Sequence, residues 1–436
     1  MALSAADAAH LIRRTGFGVT PRGLALYQGL PSRAAAVDRV LDTSKNPSDA
    51  LSPVPLGAQV TTDGGTFGSL LSAWWLDRMA TSPTPIVEKL TLFWHGHFTS
   101  SMDKVLDMSL LFAQNRLLRR GALGSYHDLV QGVCVDPAML VYLDNASNVA
   151  SDPQENFGRE LLEAFTLGPA NRTEADVIAM TRAWTGHGLS SDHRAHRFDP
   201  KLHDDGPKAL FGLAPRNWDG PAAVTELLYG ARAEPASRFI TAKLFSFLAY
   251  PVTPDAPVVV RLAGGFRKAR LDLRSLVRSI LLSDEFWSPT ARYALVRSPV
   301  EWVAASMQAL NLRATVAHAD ECLRRAGQVL FNPPTVFGWG QNAYWVSTAD
   351  TWGKAGYAVQ VRQMAATAGV LSDVAGRTAH DVATRAFQQF GIVEPTANTR
   401  SVIERWVQRA RTEGQGSLVP RNLVHLMLLS PEFQLA

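Results

Sequence analysis

The chain has 436 residues, 46% of them apolar and 19% charged, with a formal net charge of +4, the composition of an ordinary globular protein with a sizeable core. Its basic residues are scattered, without a polybasic run interleaved with aromatics, which argues against a nucleic-acid partner. The two cysteines, Cys134 and Cys322, are too few for a cysteine metal site, and a disulfide between them is not expected; no apolar run reaches the roughly 18 residues of a membrane span, and no basic-then-apolar secretory signal opens the chain, so a cytoplasmic location is expected.

Helix signals run from end to end. Ser4-Ala-Ala-Asp7 is a capping-box pattern opening a helix through about Arg14; Thr20-Pro21 starts a second helix and Pro31-Ser-Arg a third, through Leu41. The Ser, Pro, Gly, Asp and Thr content of 42–65 predicts a long surface loop. Helices follow over Leu70–Ala80, then from Thr84-Pro85 to about His95, then over Lys104–Arg120, Tyr126–Val135 and Pro137–Leu143. Asp152–Gly168 reads as one helix with both ends written in: Asp152 as N-cap, Pro153 at the first position, Glu155 closing a capping box, and Gly168-Pro169 as the stop. Thr173-Glu-Ala-Asp176 opens the next helix, to Trp184.

From about 186 to 220 the helical period is lost. This insert holds His187, His193, His196 and His203, and a short hairpin pairing Ala195–Asp199 with Ala209–Gly212 is expected there. Helices resume at Pro221–Leu228, Pro235–Phe247, Val258–Lys268, Leu273–Leu282, Pro299–Leu310 and Val316–Ala326. After the turn-rich Phe331–Gly340 they return at Lys354–Thr367, Ala379–Phe387, Thr399–Thr412 and Pro420–Leu429. Without an internal repeat or a long low-complexity linker, the expected fold is mainly α. Residues 1–436 form a single large orthogonal multi-helix bundle with irregular loops and one short hairpin.

Several stretches resemble a known family. They include His10-Leu-Ile-Arg-Arg-Thr-Gly-Phe-Gly18, Leu92-Phe-Trp-His-Gly-His-Phe98, Pro137-Ala-Met-Leu-Val-Tyr-Leu-Asp-Asn145, Glu155-Asn-Phe-Gly-Arg-Glu-Leu-Leu-Glu-Ala-Phe-Thr-Leu-Gly168 and Asn332-Pro-Pro-Thr-Val-Phe-Gly-Trp339. Taken in order, they are similar to the bacterial family of domain of unknown function 1800 over nearly the whole chain. The resemblance implies a largely helical fold. It also implies a partner, a sulfatase-like protein of the domain of unknown function 1501 family, and export in many members. This sequence departs in lacking an export signal and in placing His187 where the family usually has Trp.

The residues that bear chemistry cluster in a few motifs. His95-Gly96-His97 is suggestive but splayed: on an unbroken helix the two rings point about 200° apart, so Gly96 would have to end the helix for them to converge. Asn156, Glu160 and Glu163 fall at helical spacing on one face, where inward carboxylates can hold a cation. The alternative is an ion-pair network with Arg116, Arg119 or Arg182, supported by Arg159. His203-Asp204 is either a turn or a further ligand site. Trp339, with Trp345, Tyr344 and Asn332, is either a substrate platform or loop packing.

Three readings follow. The favoured one is a metal-dependent enzyme, oxidoreductase before hydrolase, with Fe, Cu, Mn or Zn on His95, His97, Glu160 and Glu163. Glu160, His97 and His203 are then its catalytic candidates, and Asn156, Arg159 and Trp339 its substrate contacts. The second is a non-catalytic scaffold that docks a partner and uses the same groups as a buried network. The third is a metal-free acid–base enzyme with Glu160 as base. No phosphate-binding loop, dinucleotide fingerprint, nucleophile elbow or His-Glu-x-x-His motif is present.

Overall fold

In a computed structural model the chain is mainly α-helical, with one two-stranded sheet. The structure describes residues 2–46, 53–58, 66–315 and 317–436. The expected loop at 42–65 lies partly outside these residues, as does the expected helix start at Val316. None of the described helices is long and apolar enough to cross a membrane.

Most helices begin where their caps predict. Ser4 accepts from Asp7 N, Thr20 from Gly23 N and Ser298 from Glu301 N. The Thr173–Asp176 and Ser298–Glu301 capping boxes form in both directions. Two expectations fail locally. The helix expected at Lys104–Arg120 splits at Leu106, which adopts a left-handed φ of 59°, into Met102–Val105 and Met108–Gly121. The helix expected from Asp152 starts at Glu155, and its Gln154 cap makes no side-chain bond. Asn148 is the cause: its Oδ1 accepts from Gln154 N and its Nδ2 donates to Thr181 O, tying residues 148–154 into a turn.

The hairpin forms with a different partner from the expected one. Strand β1 (His187–Leu189) pairs antiparallel with β2 (His196–Phe198). The segment 209–212 contributes no strand, and only an isolated Lys208–Arg216 bridge forms nearby. Gly186, with φ +77°, turns the chain into β1. A side chain there would meet Asp199 O at 2.6 Å.

The core has two apolar clusters. One gathers Leu11, Val37, Tyr126, Phe165, Trp184, Ile240 and Phe286; the other gathers Trp75, Leu111, Trp302, Tyr357, Val407 and Val424. The helix Pro85–His97 lies between them, giving Ile86, Leu90 and Trp94 to the first and Leu92 to the second. Its polar residues Glu88, Lys89, Thr91, His95 and His97 are buried as well, and burial obliges each to find a partner.

Glu88 is fully buried and joins three helices. It accepts from Arg119 Nε at 2.8 Å and Nη2 at 3.0 Å, from Arg78 Nε at 3.1 Å and from Trp75 Nε1 at 2.9 Å. Glu88 is the buried charge that both guanidinium groups share. Glu88→Gln is therefore expected to cost about 3–5 kcal/mol of stability, read from urea denaturation followed by helical circular dichroism. A loss below about 1 kcal/mol, the scale of an exposed pair, would contradict this role.

Candidate functional site

Gly96 does not break its helix. The helix continues to His97, and the two histidines diverge. His95 faces the second cluster, where Nε2 accepts from Phe331 N at 3.1 Å among the rings of Trp75, Phe331 and Trp339. That bond helps hold Phe331 at a left-handed φ of 64°, a conformation that bulky residues rarely adopt. Burial pulls His95 down to about 3, so it stays neutral.

His97 faces the first cluster. Its Nε2 lies 3.0 Å from Phe165 O and its Nδ1 lies 3.2 Å from Lys243 Nζ. The carbonyl must accept, so the proton sits on Nε2 and Nδ1 accepts from the lysine. Burial, then the nearby Lys243 charge, hold His97 well below its usual value.

The central polar face also divides. After Glu160 the helix widens into a π turn over Leu161–Thr166, whose i→i+5 bonds turn each residue less about the axis than a regular helix does, so Glu163 leaves the position that regular spacing gives it. Glu163 pairs with Arg159 and Arg172, and Arg159 also binds Glu155 and Glu174. Arg159 thus supports an ion-pair network at the surface, but of the arginines expected to pair with Glu160, Arg119 is on Glu88 and Arg182 on Asp204. Asn156 is exposed and bonds Asp144. Glu160 is half-buried; burial and then Glu163 raise its carboxyl, and its Oε2 has no partner. Gly158 lets this helix press on Glu174–Ala183, because a Cβ there would meet Thr181 Oγ1 at 2.5 Å.

His203 sits beside the hairpin, with Nδ1 2.8 Å from Thr185 O, while Asp204 pairs with Arg182. His187 and His196 bond each other at 3.0 Å. Among the described residues no three His, Cys, Asp or Glu come together in a way that could hold a metal ion. The expected ligand set His95, His97, Glu160 and Glu163 is not assembled: His95, His97 and Glu163 each serve a different contact, and Glu160 Oε2 has no partner among the described residues.

A cavity of about 370 Å³ opens between the two clusters. Of the expected site residues, His97, Trp339 and Trp345 line it. Phe93, Phe239, Phe247 and Trp345 supply aromatic walls, and Gln328, Gln341, Asn342 and Glu301 the polar ones. The loop carrying Trp339 reaches the cavity by closing on the helix at Gly96. Gly338, with φ +76°, lies so near that a Cβ would stand 2.2 Å from Gly96 O.

Lys243, which the sequence reading missed, projects from Ala233–Leu248 into this space. Burial alone pulls its ammonium down to about 8. A signal was present: Phe239, Lys243 and Phe247 recur at i, i+4, i+8 and are half-buried, while Ile240, Leu244 and Phe245 beside them are fully buried.

The family model described as "Protein of unknown function (DUF1800)" matches residues 10–435. No curated protein and no solved structure matches the chain.

A histidine held near 3 in the fold and near 6.5 when unfolded binds its proton only on unfolding, so stability falls as pH drops through that window. His10 and His95, each held at about 3, act this way, as does His97; Asp136, raised by burial to about 7, acts in the opposite sense. His95→Gln keeps an acceptor for Phe331 N. Between pH 6.5 and 4 its stability is expected to fall less steeply than that of the wild type, by about 1.4 kcal/mol per pH unit. Identical slopes in pH-dependent denaturation would show that His95 is not held neutral.

Proposed function

The chain belongs to the DUF1800 family, whose description assigns no activity, and we propose from the cavity that it is an acid–base enzyme acting on a small molecule, with Lys243 as the group that takes up and returns the proton. The observation that carries this reading is the lysine's surroundings. Lys243 stands in the cavity wall, Nζ facing the Nδ1 of a neutral histidine and, at 3.4 Å, Ala164 O. Among the described residues it forms no ion pair with a carboxylate. An amine so placed loses its proton near neutral pH, where a general base is most effective. His97 accepts a bond from it, and Phe165 O and Tyr126 Oη fix the geometry behind: both Tyr126 Oη and His97 Nε2 donate to that carbonyl, at 2.9 and 3.0 Å. The aromatic walls suit a ligand with a flat apolar body, and the amides of Gln328, Gln341 and Asn342 would orient it.

This is the metal-free acid–base reading with a different base from the one expected, Lys243 in place of Glu160, which does not line the cavity. Competitive labelling with acetic anhydride from pH 6 to 11, followed by peptide mass spectrometry, reads the lysine directly. Lys243 is expected to show a midpoint near 8, and turnover of any substrate found in a panel should follow the same midpoint and be lost in Lys243→Met. A midpoint in the ordinary lysine range of about 10.4 would end this reading.

A further inference from the structure

The narrow end of the cavity has an electrostatic surplus that the acid–base reading does not use. A second recess of about 10 Å³ adjoins it, and Ser246, Phe247, Glu301, Gln341 and Asn342 line both spaces. Arg14 and Lys89 line the recess from behind. Four cations, Arg13, Arg14, Lys89 and Arg297, are buried here. Lys89 pairs with Glu301. Arg13 lies over the Tyr293 ring at 4.3 Å, and Arg297 donates Nη1 to Phe433 O at 3.1 Å. The carboxylates that act on the three arginines are Glu301 and, on Arg13, the exposed Glu394.

Arg14 is the least satisfied member. Its Nη2 donates to Ala291 O, while Nε and Nη1 have no partner although the side chain is 1% exposed. Burial, then the charge of Arg13, bring its guanidinium down to about 9, and Arg297 adds to the effect. Nε–H and Nη1–H do not lie side by side on the guanidinium, so an anion that reaches it takes a single charge-assisted bond rather than a paired fork.

Resting on the acid–base reading, we propose that the ligand is an organic carboxylate, one of its carboxylate oxygens entering the recess beside Arg14 and its apolar body among Phe93, Trp339 and Trp345 in the cavity that Lys243 also lines. The recess has room for about one water-sized group, enough for one carboxylate oxygen while the rest of the group stays in the cavity. Seating the anion adds to the counter-charge that Glu301, already paired with Lys89, supplies to Arg14. Binding is therefore governed at one end by charge and along the body by aromatic contact.

The test is isothermal titration calorimetry with 3-phenylpropanoate, 3-phenylpropanamide and inorganic phosphate. The wild type is expected to bind the carboxylate at least about tenfold more tightly than the amide and to bind no phosphate. Arg14→Met should bring the carboxylate down to the affinity of the amide. Arg14 is buried, so a second variant guards against loss of the fold. Gln341→Trp, at an exposed residue lining both spaces, should abolish carboxylate binding with an unchanged thermal midpoint.

Equal affinity for acid and amide, a preference that survives Arg14→Met, or phosphate bound in place of the carboxylate would each overturn the proposal. So would no binding at all, the result if the terminal carboxylate of Ala436, which also lines the recess, fills it. The two readings fail separately. A Lys243 midpoint near 8 without Arg14-dependent binding leaves the acid–base reading standing alone, and Arg14-dependent binding with an ordinary Lys243 midpoint leaves only the anion site.

Discussion

A helix buried along most of its surface must place each of its polar groups, and in this protein that requirement organises the rest. Pro85–His97 carries two charged residues, a threonine and two histidines into the seam between the apolar clusters. Each is satisfied by a different element. Glu88 draws in Arg78 and Arg119 from the flanking helices, and Lys89 reaches Glu301 at the start of Pro299–Leu310. Thr91 turns back on Val87 O, His95 holds the loop at Phe331, and His97 holds Phe165 O and Lys243. An unpartnered charge at such depth costs several kcal/mol, more than a single mispacked side chain, so these bonds fix which elements surround the helix. The apolar contacts then fill the geometry that the polar ones select.

The cavity follows from the same seam. Where the two clusters separate, the helix shows its half-buried positions, Phe93 and Gly96, and the loop 331–345 bridges the gap by pressing Gly338 onto Gly96. A larger residue at Gly338 would hold the loop away, and Trp339 with it. The walls thus come from three distant stretches of chain: 92–97, 239–254 and 298–345. Such a site cannot be assembled by any local motif.

This explains what could be read in the sequence and what could not. Helix starts were legible because a cap is a local bond: Ser4, Thr20, Thr173 and Ser298 each act within three residues. The divergence of His95 and His97 was legible from helical angle alone. The face joining Asn156, Glu160 and Glu163 was misleading because it assumed a regular helix, and the π turn at Leu161–Thr166 changes the period where the argument needed it. The start of that helix was misplaced because Asn148 competes for the chain before it. The hairpin partner of 196–198 was missed because its register depends on Gly186 and the packing of Asp199 against it. Lys243 and Arg14 stood in helices that were correctly expected, and only long-range packing sets them at one cavity.

The pairing of Lys243 with a neutral histidine has a chemical consequence that a carboxylate partner would not supply. A carboxylate beside a buried ammonium stabilises the charged form and keeps the proton on the lysine. When that proton leaves, the carboxylate remains as an uncompensated buried charge. His97 accepts the hydrogen bond without carrying charge, because burial holds it well below neutral pH. Its Nε2 proton is committed to Phe165 O, so the ring orientation is the same whichever form the lysine takes. The lysine can then gain or lose its proton with no charge left stranded behind it. A fixed, proton-indifferent acceptor behind a lysine of lowered basicity is suited to cycling a proton between protein and ligand.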